Sequence, residues 1–390
     1  MASRFTDSEW KKINNELNRN PGKYGFPKQN NTSVLLGSFN IRKLGKVSNR
    51  NKNEWKFLVK TCKQFDLLAI QEILDDLAGI RKLLKDMNHG NDQFGLVISD
   101  ATGTFPGEPG NPERLGYIFR WSKVQRCEIV SDVTYDRTKV VRNLYENLET
   151  ISESFTDFDT KMRSFNAGLR SSKPSIKMPV FLSFIRQPYI VGFRIGANAQ
   201  KPYEIMAINA HLLYGHFMSD REQEFEALME WIIERTKQET KTYFDNFILL
   251  GDLNLNFDNP ERDRASVSMN MKTFNSDAGN EFDVNFPFID PHLGENEVYR
   301  TNARKNQTFD QIGLFFKDDR FPDFEKNGTM NDNNTGPNYG MFDFVRLFAK
   351  ASEGKEFSQM TSSEKKSFYP KFEHKVSDHM PIWLRLPMPQ

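Results

Sequence analysis

Phe247-Ile248-Leu249-Leu250-Gly251-Asp252-Leu253-Asn254 places four large apolar residues directly before a glycine, an acid and an amide. A short unbroken apolar run bounded by turn residues reads as a buried strand, so the polar residues stand at that strand's end. Gln71-Glu72 after Leu67-Leu68-Ala69-Ile70, and Ser377-Asp378-His379 before Pro381-Ile382-Trp383-Leu384, repeat the arrangement. Taken singly, each string has a plain reading: a turn for Gly251 to Asn254, a strand-end carboxylate capping the next helix for Glu72. Together they offer acids, an amide and an imidazole at the ends of separate strands, the groups that metal-assisted attack on a phosphodiester uses.

Working outward, apolar runs predict further strands near 33–40, 95–99, 115–120, 124–130, 189–195, 204–209, 308–316 and 381–386. Helical spacing appears at Trp55, Leu58, Cys62 and Phe65, at Leu77, Ile80, Leu84 and Met87, and over 220–237, where Phe225, Leu228, Met229 and Ile232 face inward. Many strands with occasional helices predict two mixed sheets covered by helices. Residues 1–31 read as an N-terminal appendage with a short helix near 8–17, and 32–390 as one domain. Two charged or Asn/Gly-rich stretches, 134–180 and 318–368, read as surface insertions.

The bulk composition narrows the partners. With 53 basic and 52 acidic residues the net charge is +1, which argues against a histone-like or tail-driven polyanion binder. A local groove remains compatible with nucleic acid. Phe is frequent, at 34 residues, and is read as packing. Cys62 and Cys127 lack metal spacing and are expected as free thiols in a reducing compartment. No stretch reaches the ~20 apolar residues of a membrane span, and 1–31 lacks a secretion-type apolar core. The expected location is cytoplasmic, with no membrane partner.

Among the strand-end residues, a carboxylate at Glu72 is costly to bury unless paired or bound to a cation. Asp252 and Asn254, two apart on an extended segment, would point to one side and hold a water or phosphate oxygen between them. His379 is a candidate proton carrier or hydrogen-bond donor, with Asp310 of Thr308-Phe309-Asp310-Gln311-Ile312 as its orienting acceptor. His211 follows a further strand; His89, His216, His292 and His374 are expected at the surface.

The ordered set Ser38-Phe39-Asn40, Gln71-Glu72, Asn209-Ala210-His211-Leu212, Gly251-Asp252-Leu253-Asn254, Phe309-Asp310-Gln311-Ile312 and Ser377-Asp378-His379 resembles the endonuclease/exonuclease/phosphatase superfamily. Glu113-Arg114-Leu115-Gly116-Tyr117 and Ile185-Arg186-Gln187-Pro188-Tyr189 resemble its deoxyribonuclease I branch. The resemblance implies a four-layer α/β sandwich, two mixed β-sheets face to face and flanked by helices. It implies catalytic roles for His211, Asp252, Asn254, Asp310, His379 and Glu113, with Glu113 orienting His211. Arg186, Asn209 and Tyr117 would contact substrate phosphate, and Asn40, Glu72 and Asp378 would hold Mg2+, with Mn2+ as an alternative ion. Leu253 stands where Phe is common in the family, and the paired cysteines of secreted relatives are missing.

The implied activity is a metal-dependent DNA endonuclease of low sequence specificity, with RNA as a second polymer. A phosphoesterase acting on inositol, lipid or other small phosphodiesters, and a catalytically inactive scaffold, are the alternatives. Regulation by a protein partner or by oligomer formation through the insertions is a further expectation.

Overall fold

The computed structural model describes residues 3–91, 93–103, 112–214, 218–236, 244–259, 261–263, 265, 267, 269, 282–323, 327 and 338–390. Twelve strands are described: β1 (Ser33–Leu44), β2 (Leu67–Leu74), β3 (Phe94–Ile98), β4 (Glu113–Arg120), β5 (Val124–Asp132), β6 (Tyr189–Ile195), β7 (Tyr203–His211), β8 (Asn246–Asp252), β9 (Asp283–Asn285), β10 (Asp310–Phe316), β11 (Tyr339–Met341) and β12 (Ile382–Pro387). They form two six-stranded sheets, ordered β11-β12-β1-β2-β4-β3 and β5-β6-β7-β8-β10-β9. Each sheet is mixed, with one parallel pair, β1 with β2 and β7 with β8, among antiparallel neighbours.

Side-chain alternation explains the layering. Ile205, Ala207, Ile248 and Leu250 join the large core that also holds the first sheet. Their immediate neighbours Met206, Ile208, Phe247 and Leu249 pack outward on Phe225, Leu228, Met229 and Ile232 of helix α6 (Met218–Thr236). Helices α2 (Lys52–Cys62) and α3 (Ala78–Met87) contribute Trp55, Phe57, Leu58, Ile80, Leu83 and Met87 to the core of the first sheet. The result is the expected four-layer α/β sandwich.

Two boundary expectations are corrected. The segment read as an appendage is part of the body: helix α1 (Asp7–Arg19) buries Trp10, Ile13 and Leu17, and Phe5 and Tyr24 join the same core. Spacings of three and four put those apolar residues on one face, a signal that the polar composition hides. The stretch 318–368 is likewise no mere decoration. β11 pairs with β12, and the short helix Phe344–Phe348 buries Phe344, Val345, Leu347 and Phe348. Its Asn-rich run at 331–336 lies outside the described residues.

The other stretch, 134–180, carries helices α4 (Arg137–Glu146) and α5 (Leu148–Asn166), of which only Ile151 is buried. Val141, Tyr145, Leu148 and Phe155 are exposed. No helix among the described residues is long and apolar enough to cross a membrane. Both cysteines are free and buried. His292, expected at the surface, is buried between the Tyr299 and Tyr339 rings, with Nε2 3.1 Å from the Tyr339 carbonyl; His89 and His374 are exposed, and His216 lies outside the described residues.

Burial dictates contrasting tolerance. Leu228→Ala on the inner face of α6 is expected to cost about 2–5 kcal/mol, and Phe155→Ser on exposed α5 about 0.5 kcal/mol or less. Urea unfolding of the two variants checks the contrast.

Candidate active site

The site begins with sheet register. β8 runs parallel to β7, placing His211 opposite Asp252, and antiparallel to β10, placing Asp310 opposite Asp252. Three adjacent strand ends therefore present His211, Asp252 and Asp310 in a row. Gly251 permits the β7–β8 approach, since a Cβ there would sit 2.0 Å from the Ala210 carbonyl oxygen. The glycine of the motif is a packing requirement.

The first sheet supplies the facing half. Asn40 on β1 donates from Nδ2 to Asp252 Oδ2 at 3.0 Å. His379, just before β12, places Nε2 3.4 Å from the same oxygen and Nδ1 2.8 Å from Asp310 Oδ2. His211 Nε2 lies 3.6 Å from Asp252 Oδ2, and its Nδ1 is 3.0 Å from Glu113 Oε2, at an angle too oblique for a full hydrogen bond. Asp252 is thus a buried carboxylate (1 % exposed) with two imidazoles, each backed by its own acid.

The charges follow from this arrangement. Burial opposes ionisation of Asp252, but His379 and His211, helped by the Asn40 and Asn254 donors, outweigh it and hold the carboxyl below its usual range. Burial alone would lower His379; Asp310 and Asp252 prevail and raise it well above the ordinary histidine value. Burial raises Asp310 itself, against the opposing pull of the His379 imidazole. Glu113 is also pushed up by burial, yet His211 and Arg186 bring it below the usual carboxylate range.

Arg186 closes this side of the site. Its Nε is 2.9 Å from Glu113 Oε2, and Nη1 donates to the carbonyls of His211 at 3.4 Å and Leu212 at 3.2 Å.

Asn254 departs from the extended geometry expected of it. Its φ of +52° lies in the left-handed region, which Asn tolerates. Its backbone N–H donates to Asp252 Oδ1 at 3.0 Å, while Nδ2 donates to the Leu212 carbonyl at 2.8 Å. The side chain therefore fixes the loop after His211 instead of sharing a ligand with Asp252.

The structure also moves Tyr117 and Asn209 away from the proposed substrate contacts. Both side chains are fully buried between the sheets. The Tyr117 hydroxyl donates to the Tyr189 carbonyl at 3.4 Å. Asn209 donates to the carbonyls of Ile70 at 3.0 Å and Gly116 at 2.9 Å, and accepts from Gln71 Nε2 at 2.6 Å. These residues bolt one sheet to the other behind the site. A strand-end Asn looks the same in sequence whether it faces solvent or the partner sheet.

The three proposed metal ligands stand on neighbouring pieces of the first sheet. Asn40 is in register with Gln71, next to Glu72, and Ser377 Oγ donates to the Asn40 carbonyl at 2.6 Å, bringing Asp378 alongside. Glu72 has φ +59° within an irregularity of the β1–β2 and β2–β4 ladders, and its Oε2 accepts from Lys43 N at 2.9 Å. Asp378 pairs with Arg42, a partner that sequence reasoning missed. Asn40 Oδ1 and Asp378 Oδ1 are buried without hydrogen-bond partners. Orphaned oxygens beside a second carboxylate fit a hard divalent cation. Asp252, Asp310 and His379 also bring ligand atoms within 4.8 Å of one another; there the His379 imidazole already lies between the two acids.

No family model matches the sequence. Bovine (Bos taurus) deoxyribonuclease-1 is 26% identical over 146 residues, 37% of this chain and 49% of the relative. The dog (Canis lupus familiaris) enzyme is 24% identical over 132 residues, 31% and 45% of the two chains. The matched region thus spans about half the length of these relatives. Among solved structures, the human nocturnin catalytic domain with bound sulfate is 13% identical, covering 92% of this chain and 95% of that one, with TM-score 0.44. TDP2 of D. rerio with a single-strand DNA product is 14% identical, covering 91% and 99%, with TM-score 0.44. ANGEL2, a 2',3'-cyclic phosphatase, in complex with adenosine-2',3'-vanadate is 12% identical, covering 92% and 96%, with TM-score 0.48.

Two predictions test the geometry. Gly251→Ala forces β7 from β8 and is expected to cost about 1–3 kcal/mol or more, read by urea unfolding. Free of metal, His379 is expected to stay protonated as pH rises through the ordinary histidine range. Asp310→Asn removes one counter-charge, so the NMR titration of that imidazole moves to lower pH; an unmoved midpoint contradicts the pairing. The chain is two facing six-stranded sheets with helices outside, and part of its sequence is similar to deoxyribonuclease-1.

Proposed function

We propose that this chain is a metal-dependent phosphodiesterase, acting as a DNA endonuclease with little base preference. The observation that carries the reading is the buried carboxylate of Asp252, flanked by two acid-backed imidazoles. Asp252, held below its usual range, is a poor base but a fixed acceptor, suited to orienting an attacking water. His379, kept protonated by Asp310, donates a hydrogen bond where negative charge builds on the phosphate. His211, steadied by Glu113, donates from the opposite flank of Asp252. Such preorganised donors are each worth roughly 3 kcal/mol of barrier. Arg186 adds a planar cation matched to phosphate geometry, with Glu113 fixing its direction.

Asn40, Glu72 and Asp378 would hold the magnesium or manganese ion, whose chemistry when bound is Lewis-acid polarisation of a phosphate oxygen. Little base preference follows from the residue set, because groups aimed at phosphate carry no sequence information. The partial similarity to deoxyribonuclease-1 supports DNA as the polymer.

Incubation with supercoiled plasmid, RNA and an inositol phosphate, each with magnesium and with EDTA, tests the reading. Nicking of the plasmid with magnesium and its loss in EDTA are expected. His379→Ala and Asp252→Ala are expected to keep their circular dichroism and lose about 10²–10³-fold in rate. Intact plasmid beside a hydrolysed inositol phosphate would replace the nuclease reading with the small-substrate one. Near-native rates in both variants would remove the assignment of the site.

A further inference from the structure

One carboxylate behind the site has no role in the chemistry just described. Glu224 lies on α6 and is 4% exposed. Its Oε1 accepts from Ile185 N at 2.6 Å and its Oε2 from Leu213 N at 2.6 Å. Ile185 immediately precedes Arg186, and Leu213 follows His211 by two residues. The two amides come from segments far apart in the chain, and a single side chain ties them together. One turn earlier, Arg221 Nη1 donates to the Asn254 carbonyl at 2.8 Å, so residues three apart on one helical face grip two site loops.

We propose that Glu224 is a positioning residue whose bidentate carboxylate staples the segment carrying Arg186 to the loop carrying His211. The proposal rests on the reading of Arg186 and His211 as phosphate-facing groups. Backbone placement matters here because Arg186 is aimed partly by its own bonds to the His211 and Leu212 carbonyls. If either segment drifts, the guanidinium and the imidazole lose their common reference. A displacement of about 1 Å in such a site costs up to about 10²-fold in rate.

The arrangement is also sensitive to protonation. Burial raises Glu224 to about 7, and the two amide bonds, Arg186 and His211 reduce the rise without cancelling it. Facing it are Arg186 from the segment entering β6 and His211 from the end of β7; Glu113 of β4 lies against both of those side chains, and Arg221 shares its helix. The ionised form above that value accepts from both amides with full charge assistance. Below it, a proton occupies one oxygen and one amide loses its strong acceptor. Function gains at higher pH while the buried charge costs stability, which is a reason to look for a role beyond packing.

The test has two arms on the full chain. Hydrogen exchange of the Ile185 and Leu213 amides, corrected for intrinsic rates, is measured in the wild type near pH 5.5 and near pH 8, either side of the transition. Protection is expected to fall about tenfold or more on the acid side. Equal protection at both values overturns the protonation dependence, and protection of the two amides in Glu224→Ala equal to that of the wild type overturns the staple itself. In plasmid nicking with magnesium, Glu224→Gln is expected to lower kcat about tenfold or more, with a smaller change in KM. It should also flatten the part of the pH profile in which Glu224 titrates, and Glu224→Asp should restore part of the rate. A wild-type kcat and pH profile in Glu224→Gln overturns the proposal. If the wild type nicks nothing, the functional reading fails, and amide exchange still decides for or against the staple.

Discussion

A carboxylate buried at the seam between two sheets must be balanced by groups from both, and Asp252 meets that requirement. Its donors are Asn40 from the first sheet and the backbone of Asn254 from its own, and each sheet brings an imidazole nitrogen to within 3.6 Å. Unpaired, such a charge would cost several kcal/mol or simply take up a proton. The pairing therefore fixes how the sheets meet at this end. Gln71 and Asn209 extend the same seam one layer deeper. Because the charge, the sheet register and the two histidine–acid pairs depend on one another, the site forms as a unit with the fold.

Backbone strain falls at the candidate site. Glu72 occupies the left-handed backbone region, which costs a non-glycine residue roughly 1–2 kcal/mol. It does so inside a ladder irregularity, the usual device for re-aiming a strand side chain. Arg50 supports the opposing turn: Nε donates to the Lys375 carbonyl at 3.0 Å and Nη1 to the Lys43 carbonyl at 3.5 Å. Burial lowers that guanidinium to about 10. A second buried cation, Lys123, pairs with Asp66 at 3.1 Å, anchoring β1 and β2 at the end remote from the site.

The strands and their chemical ends were legible because apolar runs and turn residues punctuate the sequence. Phe247 to Leu250 and Tyr189 to Ile195 are examples in which the run itself announces the strand. Residues that act across sheets were not legible. Asn209 and Tyr117 look like site residues by position, and only the facing sheet shows that they point inward. Trp10, Ile13 and Leu17 were hidden by lysines and asparagines between them. Glu224 was missed for a different reason: reading α6 for its apolar stripe leaves a lone acid on that face looking like solvent-facing charge. Its partners are two backbone amides, and backbone partners leave no mark in a sequence.

The central claim is that two histidine–acid pairs serve one centre. It is tested most directly by the rates of His211→Ala, His379→Ala and the double variant in magnesium-dependent plasmid nicking. Groups acting as a unit give a double loss far smaller than the product of the single losses. Full additivity, with each histidine contributing independently, would contradict the account.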